Sequence, residues 1–144
     1  MKNYTETEII SLIARFEKHI LPKPEWTHEA HLVVAIYYMK KYLFSQAMPL
    51  VRTYITKHNE SVGTVNSDTE GYHETITKFW LILAGLFLSE NHFSSTENAV
   101  NAFINSDFGN SKLPLSYYTE NTLFSVKARH HWIEPDLKEF PRLN

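Results

Sequence analysis

Histidines lie at two places where the sequence predicts that a helix begins. His28 and His31 are three residues apart in the segment 25–32, EWTHEAHL, and His73 lies in the segment 70–77, EGYHETIT. Side chains three positions apart on a helix share a face, with Cβ atoms about 5–6 Å apart. His28 and His31 can therefore turn their imidazoles toward one point, a spacing that is typical of metal ligands.

Two carboxylates accompany the third histidine, since Glu70 lies three residues before His73 and Glu74 follows it directly. A helix N-terminus carries partial positive charge, so an imidazole placed there tends to stay neutral, the form that binds a metal or acts as a general base. Three histidines and one carboxylate suit Zn²⁺, Fe²⁺ or Mn²⁺. We therefore predict Glu74 as a general base and one divalent metal ion held by His28, His31, His73 and Glu70.

Four other side chains can orient a substrate. The guanidinium of Arg129 can bind a carboxylate, either that of Asp136 or one on a substrate. Tyrosine hydroxyl groups can donate hydrogen bonds to a ligand. We predict Arg129 as a catalytic residue and interpret three tyrosines as ligand-binding residues, namely Tyr72, Tyr117 and Tyr118.

The histidines also allow a metal-free interpretation. An imidazole at a helix start can cap backbone amides or bond a neighbouring loop, here the polar segment 60–71. The three-residue spacing of His28 and His31 departs from the His-Glu-x-x-His pattern of metalloproteases, which disfavours that class. A dinuclear carboxylate site of the ferritin type is also disfavoured, because the other helices offer glutamates only at positions expected to be exposed. Three of the five other histidines are predicted to face water, namely His19, His58 and His92.

Composition and charge narrow the class of protein. The 144 residues suit one domain, 1–144, and 43% hydrophobic residues suit a folded core. A net charge of −2 gives no positive excess to bind nucleic acid, and the absence of cysteine excludes thiolate metal sites. The longest apolar run, 79–88, is too short to span a membrane, and the N-terminal residues lack the order of a signal peptide, so we expect a cytoplasmic location.

The spacing of apolar residues predicts an all-α fold, a single-domain bundle of five or six helices. Short connections make successive helices antiparallel, so the second and fourth predicted helices run in the same direction. Their N-terminal ends then lie together, which brings the predicted metal ligands to one end of the bundle. The start of the last helix joins that end if the helix opened by Thr96 is a full member of the bundle. The first three predicted helices cover about residues 5–19, residues 27 to a break near 44, and that break to about residue 58. The other three cover residues 72–88, a segment that begins at 96, and residues 115–132.

The motifs at 25–32, 71–77 and 117–136 resemble a family of small all-helical bacterial proteins for which no activity is established. The resemblance extends from about residue 25 to residue 136 and implies that these positions belong together. Helical bundles with a histidine-bound metal at one end, such as the DinB-like proteins, are similar in outline, although their histidine spacing differs.

From the sequence we hypothesise a helical bundle with a His/Glu site at one end that binds a divalent metal or a small polar molecule. If the protein is an enzyme, this site supports metal-assisted chemistry. The alternative is a metal-free ligand-binding or protein-interaction module with structural histidines. The sequence is also compatible with a homodimer formed through an exposed aromatic face.

Overall fold

Side-chain caps set where most of the helices begin. Thr5 Oγ1 accepts from the Glu8 amide while the Glu8 carboxylate accepts from the Thr5 amide, so α1 begins with the predicted capping box. Thr27 caps α2 through the Ala30 amide. The computed structural model describes residues 3–142. Its helices are α1 Glu6–Glu17, α2 His28–Lys41, α3 Phe44–Ser61, α4 Glu74–Glu90, α5 Thr96–Asn105, α6 Glu120–Leu123 and α7 Val126–His130.

The helices α2 and α4 form the centre of the bundle and run in the same direction. Their N-terminal parts meet where His31 and Ile76 line one cavity, and their C-terminal parts meet where Met39 and Leu88 line another. The helix α3 runs the other way, because Phe44 at its start lies beside Lys78 of α4, whereas Arg52, two turns later in α3, pairs with Glu74 at the start of α4. The structure therefore confirms the all-α class and the parallel arrangement of these two helices.

Burial explains why α2 is apolar on nearly every side. It packs against α1, α3, α4 and α5, so no face of the helix is left fully to water. Each fully buried large apolar side chain contributes about 1.5–3 kcal/mol to folding. The largest fully buried side chains include Tyr38, Tyr118, Phe16, Phe79, Phe103, Ile9, Leu32, Ile36 and Leu81.

The prediction of one continuous helix over 115–132 is wrong. The segment instead contains a short 3₁₀ turn, Leu113–Ser116, followed by α6 and α7. The first of these helices ends at its C-cap Phe124, and Ser125 caps the second, because its hydroxyl accepts from the Ala128 amide at 3.1 Å while it donates to the Thr122 carbonyl at 2.7 Å. Serine and threonine hydroxyls compete in this way with the regular hydrogen bonds of a helix interior.

The residues after α7 return along α4 and close the core. Thr75 Oγ1 donates to the carbonyl of His131 and accepts from the amide of Ile133, which fixes this return. Phe140 is only 6% exposed and stacks on Phe79 with ring centroids 4.8 Å apart. Within residues 3–142, no helix has both the length and the apolar character needed to cross a membrane.

Candidate functional site

His73 lies at the N-cap of α4, with both ring nitrogens bound to backbone groups. Nδ1 accepts from the Ile76 amide at 3.1 Å, and Nε2 lies 2.7 Å from the carbonyl oxygen of Leu123. Because a carbonyl can only accept, Nε2 carries the proton. Burial lowers the pKa of His73, although the bond to Leu123 opposes this. The imidazole therefore joins α4 to α6 and has no free lone pair for the predicted metal.

The two glutamates near His73 lie apart from the predicted metal position. Glu74 accepts two hydrogen bonds from Arg52, at 2.9 and 2.8 Å, and one from the Tyr72 hydroxyl at 2.7 Å. Burial alone would raise the pKa of Glu74, but the bonds from Arg52 and Tyr72 outweigh it and hold the pKa below its ordinary value. Glu70 is exposed in the loop before α4. Glu74 is thus an ion-paired carboxylate, and Tyr72 donates to it instead of facing a ligand.

Arg129 anchors the loop before α4. Its guanidinium donates to the carbonyl oxygens of Gly71 at 3.0 Å and Tyr72 at 3.4 Å. Asp136, its expected partner, accepts instead from Thr119, whose amide lies 2.8 Å away and whose hydroxyl lies 2.7 Å away. Bonds from threonine hydroxyls lower the pKa of Asp136 to about 2. The structure therefore gives Arg129 a positioning role for the backbone.

The other two predicted tyrosines belong to the core around Phe79. Tyr118 is fully buried and donates its hydroxyl proton to the carbonyl of Ile133 at 2.6 Å. The Tyr117 ring meets Phe79 edge-on, with Lys138 above its face at 4.3 Å. Of the predicted site residues, the structure brings only His28 and His31 to a common cavity. Among residues 3–142, no three histidine, aspartate or glutamate side chains are grouped to hold a metal ion.

A cleft of about 360 Å³ opens at the predicted end of the bundle, and we call it the outer cleft. It lies between the starts of α2 and α4 and the segment 111–124. A smaller cavity of about 40 Å³, the inner chamber, shares His31, Ile76 and Trp80 with it. The other residues lining the outer cleft are His28, Ser111, Lys112, Pro114, Leu115, Leu123 and Phe124. The inner chamber is completed by Trp26, Val34, Ala35, Val51, Ile55, Thr77 and Leu81.

His31 lines both cavities, and its ring is fixed by the ring of Trp26 and by the carbonyl of Thr27. Its ring lies against that of Trp26, with centroids 3.8 Å apart, and Nδ1 is 2.7 Å from the carbonyl oxygen of Thr27. Nδ1 therefore carries the proton, and Nε2 presents a lone pair. Burial lowers the pKa of His31 to about 4, and nearby His28 and His58 also lower it. The imidazole is neutral at pH 7, and Nε2 has no hydrogen-bond partner among the described residues.

His28 lies beside His31 in the outer cleft. Its Nε2 is 3.0 Å from the carbonyl oxygen of Gly109, and its ring meets Trp80 edge-on at 5.2 Å. A Cβ at position 109 would lie 2.0 Å from the carbonyl oxygen of Ile104, so only glycine fits there. With Nε2 as the donor, a neutral His28 presents the Nδ1 lone pair.

No family model, curated protein or solved structure matches the chain. Sequence reasoning found no signal for the aromatic walls of the site, because Trp80 lies in an apolar run typical of any core helix and Trp26 lies in the break before α2. It also missed His58, which is 0% exposed, whereas the sequence predicted that it faces water. Its ring centroid lies 5.1 Å from that of Trp26, and neither ring nitrogen has a hydrogen-bond partner in the described part of the chain.

Proposed function

We propose that this protein binds a small organic molecule in the outer cleft without a metal, and that His31 recognises it. The Nε2 lone pair of His31 carries this proposal. Its tautomer is held by the Thr27 carbonyl and its ring by Trp26, and the residue lines both the outer cleft and the inner chamber. A few oriented polar groups in a mainly apolar concavity are typical of a ligand site.

The walls of the outer cleft suit a small flat molecule. Trp80, Leu115 and Phe124 supply aromatic and aliphatic surface, and the volume of about 360 Å³ lies within the range of small-molecule pockets. Phe124 is 55% exposed, so its ring can cover more apolar surface when a ligand is bound. The cleft is therefore suited to a molecule of one or two rings.

The charge at the rim favours a neutral or anionic ligand. Lys112 lines the outer cleft, and none of its lining residues is a carboxylate. The N-terminus of α2 adds partial positive charge on the same side. A ligand with a strong positive charge would be repelled by both groups.

A metal ion held by two histidines is the second candidate. Nδ1 of His28, whose Nε2 faces the Gly109 carbonyl, and Nε2 of His31 belong to residues that line one cleft. Zinc sites in proteins generally use three or more protein ligands, so a bound ion here would need a ligand or water to complete its coordination. This difference favours the metal-free proposal.

The proposal is tested by nuclear magnetic resonance titration of the full chain with phenol, indole, benzamide and benzoate. Binding shifts the amide signals around positions 28–31, 76–80 and 111–124. The Ser111→Trp variant places a large side chain in the outer cleft and should lose these shifts, whereas the exposed Ser45→Trp variant on α3 should retain them. A titration with Zn²⁺ tests the second candidate. Absence of shifts with all four molecules, or full binding by Ser111→Trp, would contradict the proposal.

A further inference from the structure

The hydrogen-bonding character of His31 limits which ligand atom can face it. Nδ1 donates to the Thr27 carbonyl at 2.7 Å, so only the Nε2 lone pair points away from that bond. A carbonyl or carboxylate oxygen placed at Nε2 would set one lone pair against another. The neutral state persists because burial lowers the pKa of His31 to about 4. The partner of Nε2 must therefore be an N–H or O–H group.

Thr77, on α4, also lines the inner chamber. Its hydroxyl donates its only proton to the carbonyl oxygen of His73 at 2.8 Å and has none left for a ligand. A ligand that reaches this chamber therefore finds no free proton on the side chains of His31 and Thr77.

The sizes of the two cavities decide how a ligand lies. The inner chamber, at about 40 Å³, has room for only one small polar group. The rest of the ligand must occupy the outer cleft, where Trp80 and Phe124 line the walls. Flat aromatic rings pack on such side chains by offset stacking or edge-to-face contact. A rigid ring with a donor on its edge satisfies both cavities at once.

We infer that the ligand is a neutral aromatic molecule with an N–H or O–H donor on its ring edge, as in an indole or a phenol, and that this donor bonds to Nε2 of His31. The inference rests on the proposed function. It excludes carboxylates as the group that faces His31 and assigns His31 as the residue that determines specificity. An ammonium donor is disfavoured by Lys112 at the rim.

The test compares indole with benzothiophene, which has the same shape and no N–H group. Calorimetric titration of the wild-type full chain should show indole binding about tenfold more tightly, the ratio expected from one net hydrogen bond. In His31→Phe, which keeps a ring against Trp26, this preference should disappear. In His31→Gln, which keeps an acceptor, part of it should remain.

The outcomes separate this inference from the proposed function. Equal affinity of indole and benzothiophene in the wild type, with shifts in the cleft signals, would overturn the donor requirement while leaving the cleft as a binding site. Tighter binding of benzoate than of indole would overturn it in favour of an anion held by Lys112. Binding of none of these molecules would overturn the proposed function itself. The wild-type comparison keeps the inference testable if a variant at His31 fails to fold.

Discussion

At His73 a single imidazole satisfies backbone groups of two helices. N-cap positions usually hold serine, threonine, aspartate or asparagine, whose side chains reach one amide of the first turn. Histidine caps the Ile76 amide in the same way, and its second nitrogen also reaches Leu123. A residue type and spacing that suggest a metal ligand in the sequence therefore serve a structural role here.

Substitution of His73 tests this role. In His73→Ala the Ile76 amide and the Leu123 carbonyl lose their partner in a buried site, so the free energy of unfolding should fall by about 2–4 kcal/mol. His73→Asn keeps an N-cap acceptor and should recover about 1 kcal/mol of that loss. Urea unfolding of the three proteins measures both values. Equal stability of His73→Ala and the wild type would contradict the structural role.

At the scale of elements, the loop 62–73 positions the start of α4. Asn66 Oδ1 accepts from the Asn59 side chain and from the Tyr72 amide, both at 2.9 Å, and its Nδ2 donates to the Thr56 carbonyl at 3.0 Å. Arg129 holds the end of the loop through the carbonyls of residues 71 and 72. The polar composition of this segment predicts a loop, whereas these contacts show that it is tied to both α3 and α7.

Two glycines in this loop form a matched pair for mutation. Gly63 and Gly71 have φ values of +79° and +83°, but a Cβ at Gly63 meets nothing within 4 Å, whereas one at Gly71 would lie 2.5 Å from the Val65 carbonyl oxygen. Gly63→Ala should lower the free energy of unfolding by about 1 kcal/mol through backbone strain alone. Gly71→Ala should lower it by about 3 kcal/mol, because the loop must also shift.

Thermal unfolding of both glycine variants measures how much stability each substitution removes. Hydrogen exchange of residues 62–73 shows whether the loop becomes more open to solvent. Greater exchange confined to the loop is expected for Gly71→Ala. If both substitutions lower the free energy of unfolding by the same amount, the close approach of the Val65 carbonyl has no energetic consequence.

At the scale of the whole molecule, several histidines are buried in their neutral form. Burial lowers the pKa of His31, His58 and His73 below the ordinary value of a histidine, and nearby His19 adds to the effect at His58. The unfolded chain therefore binds more protons than the folded protein once the pH falls below about 6.5. The stability contributed by these neutral side chains is present above this pH and is lost as the pH falls toward the folded-state pKa values.

The free energy of unfolding should accordingly decrease from pH 7 to pH 5, by up to about 1.4 kcal/mol per pH unit for each of these histidines. His58→Phe should make the decrease shallower, because a phenyl ring beside Trp26 cannot be protonated. The exposed His92→Gln is the control and should follow the wild type. Urea unfolding at pH 7, 6 and 5 measures the slopes. An unchanged slope in His58→Phe would contradict the claim that burial of neutral His58 makes the stability depend on pH.

The sequence by itself determined the all-α class, the starts of α1 and α2, and the shared end of α2 and α4. These features depend on local capping, on apolar periodicity and on short connections, all of which are encoded within a few residues. It also placed His28 and His31 together on the first turn of α2, where both line the outer cleft.

Only the tertiary structure decided which carbonyl groups His28 and His73 bind. The carbonyl partner of His73 lies 50 residues away in the sequence, and that of His28 lies 81 residues away. Which ring nitrogen keeps a free lone pair depends on these distant backbone groups, because a bonded nitrogen offers nothing to a ligand. The spacing of the histidines therefore predicted that His28 and His31 lie side by side, whereas only the packing of distant segments showed that both ring nitrogens of His73 are bound to backbone groups.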